Sequence, residues 1–113
     1  MVFSSFGGIF RKEKFRVKNK ELFNDIIKTG NQTKTRYFYI YYKDNSLDYP
    51  RFGIAVGKKV GKAVVRNKYK RIIRNILNEN KKTFKNSRDY IIMIKKTGLE
   101  KSYKELQEDL QNI

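Results

Sequence analysis

The chain has 113 residues, no Cys and no His, and 27 Lys and Arg against 11 Asp and Glu, a formal net charge of +16. That length suits one domain with a modest core, and the missing thiols and imidazoles exclude disulfides, zinc fingers and Ser-His or Cys-His nucleophile pairs. So much positive charge on a small body calls for a polyanionic partner, nucleic acid first among them.

No apolar run approaches the roughly 20 residues that span a bilayer, and Met1–Phe10 lacks a charged segment ahead of an apolar one. A cytoplasmic protein with no membrane partner is expected. Residues 1–14 read as a flexible basic lead-in and 15–113 as one domain.

From Asn19 to Lys28 the spacing predicts a short amphipathic helix, capped by Asn19, with Leu22, Phe23, Ile26 and Ile27 on one side and Gly30 as a left-handed stop. Arg36–Lys43 is aromatic and β-branched and reads as a strand. Asp44–Pro50 is turn chemistry. Arg51–Gly57 then alternates, Phe52, Ile54 and Val56 pointing one way and Gly53, Ala55 and Gly57 the other. A face of small residues lies under something close-packed or floors an open groove. The two strands are expected to pair as an antiparallel hairpin. An extra strand within 32–35 has no readable pattern.

Val64 to about Asn80 is the strongest helix. Val65, Tyr69, Ile72, Ile73, Ile76 and Leu77 form its apolar stripe. A polar link over 81–88 leads to a buried strand at Asp89–Lys95. Ser102 and Glu105 form a capping box opening a last helix, with Tyr103, Leu106 and Leu110 on one face. The order is α-β-β-α-β-α, or α-β-β-β-α-β-α with the extra strand, an α+β sandwich.

Two features carry chemistry. Arg66, Asn67, Lys68, Lys70, Arg71 and Arg74 occupy the arc of the long helix left free by its stripe, with no acid among them. Arg66, Lys70 and Arg74 form a row about 12 Å long, suited to a phosphate backbone. Ahead of the helix, Lys58, Lys59 and Lys62 sit among Gly57 and Gly61, where ammonium and backbone N–H groups converge on anions, though without Walker spacing. The first strand sets Tyr37, Tyr39 and Tyr41 against Phe38, Ile40 and Tyr42. The Phe38 face is the more apolar, so Tyr39 and Tyr41 are candidates either for stacking unpaired bases or for ordinary sheet packing.

The run Arg51-Phe52-Gly53-Ile54-Ala55-Val56-Gly57-Lys58-Lys59-Val60-Gly61-Lys62-Ala63-Val64-Val65-Arg66-Asn67-Lys68-Tyr69-Lys70-Arg71-Ile72-Ile73-Arg74 resembles the signature of the bacterial ribonuclease P protein subunit, R-x-G-x-S-V-S-K-K-x-G-x-A-V-x-R-N-R-x-K-R-x-x-R. Ala55 and Gly57 replace Ser, Lys62 replaces Asn, and Lys68 replaces Arg, losing the forked contacts of a guanidinium. The resemblance extends over about Phe15 to Leu110. It implies a two-layer α+β sandwich, α-β-β-β-α-β-α, with an unusual left-handed β-α-β crossover. It implies a protein subunit of an endoribonuclease whose catalytic RNA removes the 5′ leader of precursor tRNA. In that reading no protein side chain is catalytic, Mg²⁺ is held mainly by the RNA subunit, and protein metal ligands are unknown. Ribonuclease P RNA and precursor tRNA are the partners, with no obligate protein partner. Lys58, Lys59, Lys62, Arg66, Asn67, Lys68, Lys70, Arg71 and Arg74 would bind the RNA subunit. Phe23, Arg36, Tyr39 and Tyr41 would hold the leader, with Ile27 standing where an aromatic residue is usual.

Two other functions fit the charge. A ribosomal or general RNA-binding protein fits equally well. A stand-alone metal nuclease would need clustered carboxylates, whereas Asp44, Asp48 and Asp89 are scattered and Glu100, Glu105, Glu108 and Asp109 fall at the far helix, where they more naturally offset the basic body.

Overall fold

The computed structural model describes residues 16–17, 19–80, 84 and 87–111; the expected lead-in over 1–14 lies outside them. The elements are α1 (Lys20–Thr29), β1 (Asn31–Lys34), β2 (Phe38–Asp44), β3 (Arg51–Ala55), α2 (Ala63–Glu79), β4 (Arg88–Ile94) and α3 (Tyr103–Leu110), with 3₁₀ turns at Lys58–Val60 and Lys96–Gly98. The unreadable strand is real. β1 is short, polar and exposed, held only by antiparallel pairing with β2, so it leaves no hydrophobic pattern.

The expected hairpin of β2 with β3 does not form. β4 lies between them in the order β1-β2-β4-β3, antiparallel to β2 and parallel to β3. β4 runs Tyr-Ile-Ile-Met-Ile and is buried along nearly its whole length, which suits a central strand covered on both faces. One face of the sheet carries the main core. Phe38, Ile40, Phe52, Tyr90 and Ile92 meet Tyr69, Ile73, Ile76 and Leu77 of α2 and Leu106 and Leu110 of α3. Phe52, Phe84 and Tyr90 add a tight aromatic trio with centroids 5.2–5.5 Å apart. α1 crosses part of the other face, where Ile26 and Ile91 are fully buried.

The β3-α2-β4 connection is left-handed. Phe52 turns its ring toward α2 and its carbonyl away from β4, accepting from the Val17 N–H at 2.9 Å. For an L-residue those two directions put β4 to the left of β3 when α2 is in front, the rare hand for such a crossover.

Three local expectations are corrected. Gly30 ends α1 with extended backbone, φ −79°, rather than left-handed. Glycine is needed there for space, because a Cβ would stand 2.5 Å from the Ile26 carbonyl oxygen and 2.6 Å from that of Tyr42. Val65 belongs to no core stripe: it is 37% exposed, so the buried face of α2 begins at Tyr69. Tyr37 precedes β2, escapes its alternation and joins the main core, away from Tyr39 and Tyr41.

Both helix caps form as read. The Asn19 Oδ1 accepts from the Glu21 N–H at 2.7 Å, and Ser102 and Glu105 bond reciprocally. Arg51 and Asp89 stand opposite each other on β3 and β4, joined by two bonds of 2.8 Å. Asn45 donates a third bond to Asp89 at 2.7 Å, and the carboxylate holds the Arg51 guanidinium above its usual pKa.

Asp89→Ala strands the half-buried Arg51 charge and is expected to cost about 2–4 kcal/mol in chemical denaturation. Gly30→Ala meets two backbone oxygens that have no room to move, and a loss of about 1–3 kcal/mol is expected in the same measurement.

Candidate nucleic-acid interface

On the side of the sheet away from the main core, side chains line up in rows across the strands. Gln32, Tyr41, Ile91 and Gly53 form one row, and Lys34, Tyr39, Met93 and Ala55 the next. α1 covers the first row at the β3 end. Phe23 lies so close over Gly53 that a Cβ there would be 3.0 Å from its ring. Both readings of the small-residue face are therefore realised: Gly53 lies under a packed ring, and Ala55 and Gly57 floor an open groove.

That groove, of about 1010 Å³, opens at the C-terminal ends of β3 and β4. Tyr39, Met93, Lys95 and Lys96 bound it on one side, Lys58, Lys59 and Lys70 on the other, and no acid lines it. A second, smaller groove follows the edge of β3, between Phe23 of α1 and Lys70 and Arg74 of α2, with Arg16 at its end. Lys70 lines both, so the two grooves meet around the end of β3.

The nine cations and amides expected to contact an RNA subunit fall into three groups. Arg66, Lys70 and Arg74 are half-buried along one flank of α2, two of them in the grooves. Asn67, Lys68 and Arg71 face solvent on the next arc, so the helix presents a broad basic band rather than a line. Lys58 and Lys59 border the groove from the 3₁₀ turn, while Lys62 is the exposed cap residue of α2, whose side chain bonds no N–H of the first turn. Gly61, at φ +153°, lets the loop swing into the helix. No acid occupies the first turn of α2, leaving its positive dipole end uncompensated. The Arg66 Nε is buried without a hydrogen-bond partner.

Of the aromatic set, Phe23, Tyr39 and Tyr41 share one face of the sheet, each half-buried, and Ile27 is half-buried one turn after Phe23. The Tyr41 hydroxyl accepts from Gln32 Nε2 at 3.1 Å. Arg36 does not join them. It sits exposed at the β1–β2 turn with its guanidinium over Tyr37, in a recess shared with Glu105, Glu108 and Asp109. That turn is fixed by Asp109, which accepts from Thr35 Oγ1 at 2.6 Å and from the Arg36 and Tyr37 N–H groups at 3.1 and 2.8 Å.

Lys34 and Lys95 were legible only as two more lysines. Their ammonium groups stand 5.8 and 4.7 Å from the Tyr39 ring centroid, and nothing in the local sequence pairs residues 34, 39 and 95.

Three of the acids are in ion pairs away from the grooves. Asp25 bonds Lys43 at 2.7 Å, which lowers its pKa, Asp44 pairs with Arg88, and Asp89 with Arg51. Among the described residues no three carboxylates come together in a way that could hold a metal ion, so the described side chains assemble no site for Mg²⁺. Nor is any described helix long and apolar enough to cross a membrane.

An aromatic-floored groove beside a basic helix whose cations make no ion pair among the described residues has the features of a nucleic-acid-binding module. A family model described as "Ribonuclease P" matches residues 10–113, and the chain belongs to that family, the protein components of an endoribonuclease that processes tRNA. The ribonuclease P protein component of Mycoplasma mycoides is 44% identical over 100 residues, 88% of this chain and 92% of the relative. That of Streptococcus pyogenes is 39% identical over 102 residues, covering 90% and 85%. The solved RNase P protein of Thermotoga maritima superposes with a TM-score of 0.80 at 32% identity, covering 86% of this chain and 92% of that one. The Staphylococcus aureus protein gives 0.78 at 32%, covering 88% and 91%.

Replacing Arg66, Lys70 and Arg74 together with Ala is expected to weaken RNA binding and flatten its salt dependence. If each cation meets one phosphate, the slope of log affinity against log salt should fall by about 2–3. An unchanged slope in a salt titration removes this flank of α2 from the interface.

Proposed function

We propose that the chain works in the cytoplasm beside the ribonuclease P RNA, with the α2 band on that RNA and the Phe23–Tyr41 face on the 5′ leader of precursor tRNA. The observation that carries the reading is the position of Lys70 in both grooves. It makes the basic band and the aromatic face one surface, so that two RNAs bound to it would be held edge to edge. The protein's part is electrostatic and positional: it neutralises repulsion between RNA subunit and substrate and grips the unpaired leader.

Among the described residues no group of carboxylates could hold a metal ion, which argues against a stand-alone metal nuclease. In this reading the chemistry and its Mg²⁺ belong to the RNA subunit, whose phosphates supply hard oxygen ligands. A ribosomal or general RNA-binding role has no support from the relatives, which are ribonuclease P components throughout those described above.

Reconstitution with a bacterial ribonuclease P RNA tests the proposal. At low Mg²⁺, addition of the protein is expected to restore correct 5′ cleavage and to tighten binding of precursor tRNA relative to mature tRNA. Equal affinity for the two tRNAs in the assembled particle would point instead to a general RNA-binding role.

A further inference from the structure

Tyr39 differs from Tyr41 in what surrounds its ring. Lys34, its partner on β1, approaches from one side with Nζ 5.8 Å from the ring centroid. Lys95, two residues beyond its β4 partner Met93, approaches from the other at 4.7 Å. The Lys95 ammonium also donates to the Thr35 carbonyl at 2.7 Å, so two of its three N–H bonds remain for a ligand. Neither lysine is in an ion pair among the described residues, and no acid lines the groove that Tyr39 and Lys95 help to form.

A ring so flanked is a poor stacking platform. Ammonium groups attracted to the ring quadrupole occupy the places a base would take. The same attraction holds two long, flexible side chains at the groove rim, reducing the rotamer entropy each would lose on meeting an anion. We propose that Lys34, Tyr39 and Lys95 form a clamp for one backbone phosphate of single-stranded RNA, with Tyr39 as a positioning residue rather than a base-stacking one. The bases on either side of that phosphate would then lie over the neighbouring row, where no cation among the described residues stands over the Tyr41 ring. The inference rests on the leader-binding reading and says which part of the leader this corner of the groove meets.

The test uses the reconstituted holoenzyme and precursor tRNAs carrying either one neutral methylphosphonate linkage or one abasic nucleotide, placed at each leader position in turn. The unaltered protein is expected to lose about three- to tenfold in affinity at one methylphosphonate position. Lys34→Ala with Lys95→Ala, and Tyr39→Leu, should lose that sensitivity and flatten the salt slope by about 0.7 per phosphate no longer met. Tyr39→Phe, which keeps the ring, should recover the sensitivity that Leu loses. Retention of the methylphosphonate effect in the double lysine variant overturns the clamp. So does a Tyr39→Leu protein that keeps that effect but loses its response to one abasic position, because Tyr39 would then be stacking a base. A holoenzyme indifferent to deletion of the whole leader would overturn the leader-binding reading itself, a result separate from either.

Discussion

Arg51 and Asp89 face each other across adjacent parallel strands, and much of the molecule follows from that pair. A carboxylate 3% exposed, bonded twice by one guanidinium and once by Asn45, tolerates no other partner at its register position. A slip of one residue between β3 and β4 would leave the buried carboxylate and the half-buried guanidinium unmatched, and would turn Phe52 and Tyr90 out of the core. With that register fixed, Ala55 lies beside Met93, the groove opens at the C-terminal ends of both strands, and α2 leaves β3 where Lys70 can border it.

Charge is distributed with the same economy. The few acids are placed where the fold needs a fixed point: Asp25 ties α1 to β2 through Lys43, Asp89 joins β3 to β4, and Asp109 secures the β1–β2 turn from α3. None of the described ion pairs involves a cation of α2. Repulsion along that helix therefore stays uncompensated until an anion arrives. The core meets this cost with Ile73, Ile76 and Leu77, all fully buried on the opposite arc.

Elements whose information is local were readable from the residues. The caps at Asn19 and Ser102, the buried face of α2 and the alternation of β3 all rest on neighbours within a turn or a strand. Pairing was not readable, because what separates β2 from β3 lies more than thirty residues further along the chain and carries no mark of its destination. The handedness of the crossover came only from the family resemblance, since no local spacing encodes it. At the site, the helix band was legible as a periodic run, whereas the position of Arg36 was not, because Asp109, 73 residues away, decides how its turn is held. The approach of Lys34 and Lys95 to Tyr39 was illegible for the same reason: cross-strand neighbours have no signature in sequence.

The insertion of β4 also sets a timetable. β1 and β2 are contiguous and form a hairpin early, but β3 has no strand to pair with until residues 88–94 have left the ribosome. Until then the growing chain exposes an open edge on each side of the vacant central position, with the aromatic core of Phe52 unsealed. Long-range closure of this kind is slow, and domains emerging from the N-terminus must wait for their last partner. The full basic run of α2 precedes β4 in the chain, so the cationic helix is made before the strand that joins β3 to the sheet.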